Sequence, residues 1–159
     1  MIKFLFLFLA TLFLAVSSGQ ERPNVVLILS DDLGYHDLAC YGHPKIKTPV
    51  IDQLAQEGVR LTSFYSGATV CTPSRMALLT GSYPVRYGWS RGVVGHIMKK
   101  KRGLSPKAIT MAEIFKGAGY TTGIFGKWHL GDQAPYRPDQ RGFDEVFIHG
   151  AGGIGQSYR

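Results

Sequence analysis

Apolar and polar positions fall into blocks along this chain, and each block predicts an element. Residues 24–30, NVVLILS, form an unbroken apolar, β-branched run. That pattern predicts a strand buried on both faces, as in a parallel sheet, and it ends on Asp31-Asp32 as the chain leaves the core. Residues 48–58, TPVIDQLAQEG, predict a helix with Thr48 as N-cap, Pro49 at the first helical position and Gly58 as the stop. Ile51, Leu54 and Ala55 make its apolar face. Residues 59–65, VRLTSFY, alternate and predict a second strand. A short helix is expected from Pro73 to Leu79, halted by Gly81. Thr110 to Glu113, TMAE, reads as a capping box. It opens a helix carrying Met111, Ile114, Phe115 and Ala118 and closed by Gly119. Residues 120–126, YTTGIFG, predict a further strand that runs into KWHLG. Strands alternating with helices imply an α/β domain with a largely parallel sheet.

The first residues follow a different pattern. Lys3 precedes an apolar stretch from Phe4 to Val16, broken only by Thr11, and Ser17, Ser18 and Gly19 follow. This is the layout of a secretory signal peptide cut near Gly19. The stretch is short against the roughly 20 residues that span a bilayer, so no stable membrane anchor is expected. Residues 20–159 then form one domain of ordinary size.

The 159 residues carry a formal charge of +7, and part of it lies in Lys99 to Arg102, KKKR, next to Gly103. Such a run reads as a solvated loop or as a patch for an acidic polymer. No aromatic residues interleave with it, so nucleic acid is not an expected partner. The only cysteines are Cys40 and Cys71. In an exported chain a disulfide is the first reading of such a pair.

Three polar groups fall where an α/β sheet gathers its ligands, outside the carboxyl ends of strands. Asp31-Asp32 either offers oxygen ligands to a hard cation or divides between a turn cap and a solvated carboxylate. Cys71 stands just ahead of a helix N-terminus, where unpaired amides favour an anion. It suits a nucleophile, a bound anionic substrate, packing or a disulfide, and Arg75 adds a fork of donors nearby. Lys127 and His129 are two apart, so on an extended segment they share a side, with Trp128 turned into packing. Lys127 can hold an anionic oxygen and His129 can move a proton, or both can belong to a surface loop.

Taken in order, these segments resemble one family. CTPSRMALLTG is similar to the signature of the type I sulfatases, whose core is C-x-P-x-R. PNVVLILSDDLGYHDLACYG resembles that family's N-terminal strand and metal loop, GYTTGIFGKWHLG its second signature, and RGFDEVF the segment that follows. The resemblance runs from Pro23 to about Ile148, and the ordered set is far more specific than C-x-P-x-R alone.

The resemblance implies an alkaline-phosphatase-like α/β sandwich with a largely parallel central sheet. It implies a sulfuric ester hydrolase of arylsulfatase type, acting on a sulfated small molecule or polysaccharide. In the family the cysteine matching Cys71 is oxidised to formylglycine (3-oxoalanine) by a separate formylglycine-generating enzyme that reads the unfolded chain. A disulfide to Cys40 would block that chemistry, so Cys40 becomes a packing residue. The hydrated aldehyde is a geminal diol: one hydroxyl attacks sulfur and displaces the alcohol, and the other then expels sulfate. By position, Asp31, Asp32 and modified Cys71 would bind Ca²⁺, with Mg²⁺ as the alternative. Arg75 would orient the formylglycine, Lys127 would bridge the diol and a sulfate oxygen, and His129 would take the proton that triggers sulfate release. His149 and Gly150 follow FDEVFI, where the resemblance implies a substrate contact in some relatives.

Family members are several hundred residues long and draw further metal ligands, a lysine and a histidine from downstream. The resemblance therefore implies that residues 20–159 are the N-terminal portion of a catalytic domain, inactive alone. The expected location is secreted or periplasmic, or lysosomal in a eukaryote. Two alternatives accompany this reading: a phosphoesterase or phosphonate hydrolase of the same fold, and a catalytically dead protein that holds sulfated polymers through KKKR and Arg75.

Overall fold

The computed structural model describes residues 22–94 and 102–149. The expected signal peptide, Lys99 to Lys101 of the basic run, and Gly150 lie outside the described residues. The chain divides into two compact units, Met1–Gly34 and Tyr35–Arg159.

In the first unit, the apolar run from Asn24 to Ser30 enters no strand ladder. Val25, Val26, Leu27, Ile28 and Leu29 are all exposed. The expected doubly buried strand is thus not formed. Burial of such a run requires a hydrogen-bonding neighbour on each side, and the only ladder among the described residues joins two other strands. Residues 59–65 fail as a strand for the same reason. Alternation specifies a face, but pairing specifies a strand.

The second unit opens with two short 3-10 turns, Tyr35–Asp37 and Ala39–Tyr41. Helix α1, Pro49–Glu57, follows, with Pro49 at its start as expected. Thr48 occupies the N-cap position, yet its hydroxyl does not cap. It donates to Asp52 Oδ1 (2.8 Å) and accepts from the Ala39 amide (3.0 Å), tying the helix to the preceding turn. Helix α2 is Cys71–Thr80, with Gly81 stopping it in the left-handed region at φ 60°. Helix α3, Met111–Gly117, carries the full capping box: Thr110 Oγ1 accepts from the Glu113 amide, and Glu113 Oε2 accepts from the Thr110 amide.

Strands β1, Gly123–Lys127, and β2, Glu145–His149, pair in parallel. The register sets Ile124 beside Val146 and Lys127 beside His149. The core gathers Met76 of α2, Ala112 of α3, Trp89, Val94, Leu104, Ala108, Trp128, Leu130 and Phe143, with Ile124 and Ile148 packed against it from the sheet. Phe125 and Phe147, register partners, remain 74% and 78% exposed.

Arg141 locks the connection between these elements. It is 2% exposed, and its guanidinium donates to the carbonyls of Leu104 (2.9 Å), Ser105 (3.1 Å) and Ala108 and to Glu113 Oε1 (3.4 Å). A permanent charge with five donors in a planar fork is suited to gathering several carbonyls of one loop. Next to it, Gly142 has φ +93°, and a Cβ there would collide with the Glu113 amide nitrogen. The loop and α3 can therefore dock closely only on a glycine.

Candidate active site

The site grows from the first turn of α2. The helix starts at Cys71, two residues earlier than the apolar pattern predicts, because Val70 is extended and its carbonyl accepts from the Ser74 amide at 3.1 Å. Pro73 thus lies inside the first turn, where its missing N–H breaks no helical bond. Cys71 itself is half-buried at the helix N-terminus, and both Cys71 and Cys40 are free thiols.

Strand β1 delivers the next group. Gly126, at φ +101°, gives the strand end a turn that side-chain-bearing residues rarely make. Lys127 follows it and donates from Nζ to Cys71 Sγ at 3.3 Å. Arg75, one turn along α2 from Cys71, donates from Nη1 to the Lys127 carbonyl at 2.6 Å. The arginine therefore fixes the backbone from which the lysine reaches, a link that residue type alone does not reveal.

His129 departs from the expected geometry. Its backbone sits in the left-handed region at φ 59°, so residues 127–129 are not one extended segment with alternating sides. Lys127 is half-buried, whereas His129 is 5% exposed. Trp128 does pack inward, at 2%, and its Nε1 donates to the carbonyls of Gly131 (2.9 Å) and Tyr136 (3.0 Å). The His129 ring meets the Val94 carbonyl through Nε2 at 2.8 Å. Thr72 completes the connection. Its hydroxyl donates to the His129 carbonyl (2.9 Å) and accepts from the Val94 amide (2.9 Å). Sequence reasoning passed over Thr72, because the variable position of C-x-P-x-R carries no chemical mark. A hydroxyl residue in the first turn of a helix is the one signal that could have drawn attention to it.

Cys71, Arg75, Lys127 and His129 are thus joined through α2 and the end of β1. His149 is the register partner of Lys127, and its buried Nδ1 has no hydrogen-bond partner among the described residues. Asp31 and Asp32 stand in the first unit, both exposed at a bend, with Asp32 at φ 55°. Among the described residues no three His, Cys, Asp or Glu side chains gather to hold a metal. The donor chemistry of the aspartate pair suits a hard cation, but two carboxylates supply only part of the six to eight oxygens Ca²⁺ takes.

A parallel α/β scaffold sets a lysine ammonium and a helix N-terminus around one cysteine, a setting suited to an anion. The chain belongs to the sulfatase family: the family model Sulfatase matches residues 23–158. It is 48% identical over 138 residues to Arylsulfatase A of Homo sapiens, covering 84% of this chain and 27% of that protein. It is 47% identical over 141 residues to Steryl-sulfatase of Rattus norvegicus, covering 83% of this chain and 24% of that one. The chain thus spans about a quarter of the length of these relatives. Among solved structures it resembles Ps i-CgsB, with a TM-score of 0.74 and 38% identity over 82% of this chain and 29% of that one. It also resembles a protein solved with its substrate D-glucosamine-2-N,6-O-disulfate, with a TM-score of 0.65 and 29% identity over 79% of this chain and 23% of that one. The fold is the alkaline-phosphatase-like α/β fold of these neighbours.

Proposed function

We propose that the whole protein hydrolyses sulfate esters, with residue 71 as the nucleophile after oxidation of Cys71 to formylglycine. The observation that carries this reading is the Lys127 ammonium held 3.3 Å from Cys71 Sγ at the start of α2, with Arg75 anchoring the Lys127 carbonyl. Residue 71 modified in this way would supply a hydrated aldehyde, whose paired hydroxyls serve first for attack and then for release.

The chain's own residues do the rest. Lys127 places a positive charge beside the oxygen that would replace Sγ, favouring its ionised form and holding a sulfate oxygen next to it. Arg75 keeps that lysine's backbone in place and adds a second fixed charge to the anion site. The amides at the start of α2 add partial positive charge. His129 is the group that moves a proton when sulfate leaves.

Asp31 and Asp32 would ligate a divalent cation, with Ca²⁺ favoured by their hard oxygen donors and Mg²⁺ the alternative. Such an ion would polarise the sulfate. A sulfated carbohydrate is the proposed substrate class. Its support is the likeness to the protein solved with a disulfated glucosamine and to Ps i-CgsB, which was also solved with k-i-k-neocarrahexaose. Residues 1–19 are proposed to direct export. No helix of the described residues is long and apolar enough to cross a membrane.

Two measurements on the intact protein, made with a formylglycine-generating enzyme, test the reading. Mass spectrometry of the tryptic Cys71 peptide is expected to show an aldehyde or its hydrate. A chromogenic aryl sulfate is expected to be cleaved in a divalent-dependent way. A thiol throughout, or a Cys40–Cys71 disulfide, would overturn it. Faster cleavage of the matching aryl phosphate would move the assignment to a phosphoesterase.

A further inference from the structure

The motif position between Cys71 and Pro73 is occupied by a residue whose hydroxyl bonds the backbones of His129 and Val94, and it is among the most buried of the described residues. Thr72 is 0% exposed, Val94 6% and His129 5%. Their hydrogen bonds close a ring. The Val94 amide donates to Thr72 Oγ1, Thr72 Oγ1 donates to the His129 carbonyl, and the His129 ring returns through Nε2 to the Val94 carbonyl.

The last of these bonds fixes a proton. A carbonyl oxygen only accepts, so Nε2 must carry the hydrogen that it shares with Val94. In a neutral imidazole Nδ1 is then the nitrogen with the lone pair. The ring is oriented toward the Val94 carbonyl, and Thr72 holds the amide of that same residue. The same hydroxyl ties the backbone of His129, whose left-handed conformation is uncommon for a residue with a side chain.

We infer that Thr72 is a positioning residue for His129, fixing the Nε2–H tautomer so that Nδ1 is the nitrogen that moves the proton. This deepens the sulfatase reading and rests on it for the role of His129, but the tautomer itself can be measured independently of turnover. The device explains why a threonine is useful there. The hydroxyl accepts and donates at once while its methyl fills a buried place, and it binds the cysteine-bearing turn to the histidine within one residue of each.

The test uses the intact protein labelled with ¹⁵N-histidine, with a His129→Gln variant to assign the signal. In the unsubstituted protein, His129 Nε2 is expected to resonate as the protonated nitrogen and Nδ1 as the unprotonated one. Thr72→Val keeps the shape and removes the hydroxyl, which leaves the Val94 amide and the His129 carbonyl without their partner. It is expected to give mixed tautomers and a kcat lowered about 10- to 100-fold, with KM changed less than about threefold, since a proton transfer is misaligned while the groups that bind the substrate stay in place. Thr72→Ser is expected to restore both the single tautomer and most of kcat. A purely structural role would lower the yield of folded protein while leaving the folded fraction with wild-type kcat and tautomer, and that result overturns the inference. So does an Nδ1–H tautomer in the unsubstituted protein, which needs no variant to fold. Should the unsubstituted protein release no sulfate from any ester, the sulfatase reading fails by itself, and the ¹⁵N measurement still decides the role of Thr72.

Discussion

At the scale of single residues, charge placement decides the outcome. Lys127→Met removes the ammonium from beside Cys71 Sγ while keeping the stem's packing. A preorganised charge of this kind is expected to cost about 10²–10³ in kcat when removed, to be read in the aryl sulfate assay with the extent of residue 71 modification checked by mass. Arg75→Lys keeps a positive charge but loses the planar fork that reaches the Lys127 carbonyl, so a fall of about tenfold or more in kcat is expected. Asp31→Ala and Asp32→Ala are each expected to abolish divalent dependence together with turnover, because removing one carboxylate leaves its neighbour with an incomplete donor set. Activity at the original level with metal still bound would refute their role as ligands. The residue types at these positions were readable in the sequence. The φ of His129, the carbonyl bonded by Arg75 and the part played by Thr72 were not, since each depends on a segment more than thirty positions away.

Elements divide by how local their causes are. Helix α3 was legible at its start, down to its capping box, because Thr110 and Glu113 are three residues apart and need nothing else, whereas it ends at Gly117 and leaves Ala118, expected within it, as the C-cap. The strand expected over 120–126 forms at Gly123–Lys127, but its partner was not recognised, since β2 lies some twenty residues further on and pairing is a long-range event. Between them sits Asp144, which accepts from the Lys116 ammonium and from the amide and hydroxyl of Thr122 (each 3.0 Å). The lysine first, then Thr122, hold its carboxyl down to about 2 from the ordinary 3.8. A depressed acid favours the folded state wherever it is ionised. Its contribution is therefore full above the ordinary value and disappears as pH falls from about 4 towards 2. The acid limb of a denaturation profile is expected to flatten over that interval in Asp144→Asn. Arg141→Met tests the neighbouring lock. Three carbonyls lose a buried donor, and a loss of about 3 kcal/mol or more is expected in urea unfolding, against the 1–3 kcal/mol typical of one unsatisfied group.

At the scale of the whole molecule, the apolar surface is the dominant fact. Val25 to Leu29, Phe125 and Phe147 are exposed, although their sequence is that of a core. The apolar pattern of residues 24–30 predicts burial, and the structure leaves that run exposed, because no strand pairs with it among the described residues. Residues 20–159 expressed alone are expected to bind a hydrophobic dye, to aggregate, and to give no turnover of an aryl sulfate even with residue 71 modified. Turnover comparable to that of the intact protein would show that the essential groups have been misassigned.

The position of Cys71 within the first turn of α2 also makes the proposed modification a race. Thr72 and Pro73, which follow it directly, are buried, so an enzyme that must grip the backbone around residue 71 has to act before that turn docks. The modified fraction in a preparation then depends on two rates, capture and folding, and specific activity becomes a stopwatch for folding during export. Substitutions that only slow the docking of α2, far from any reacting atom, would raise the yield of competent enzyme when the modifying enzyme is scarce.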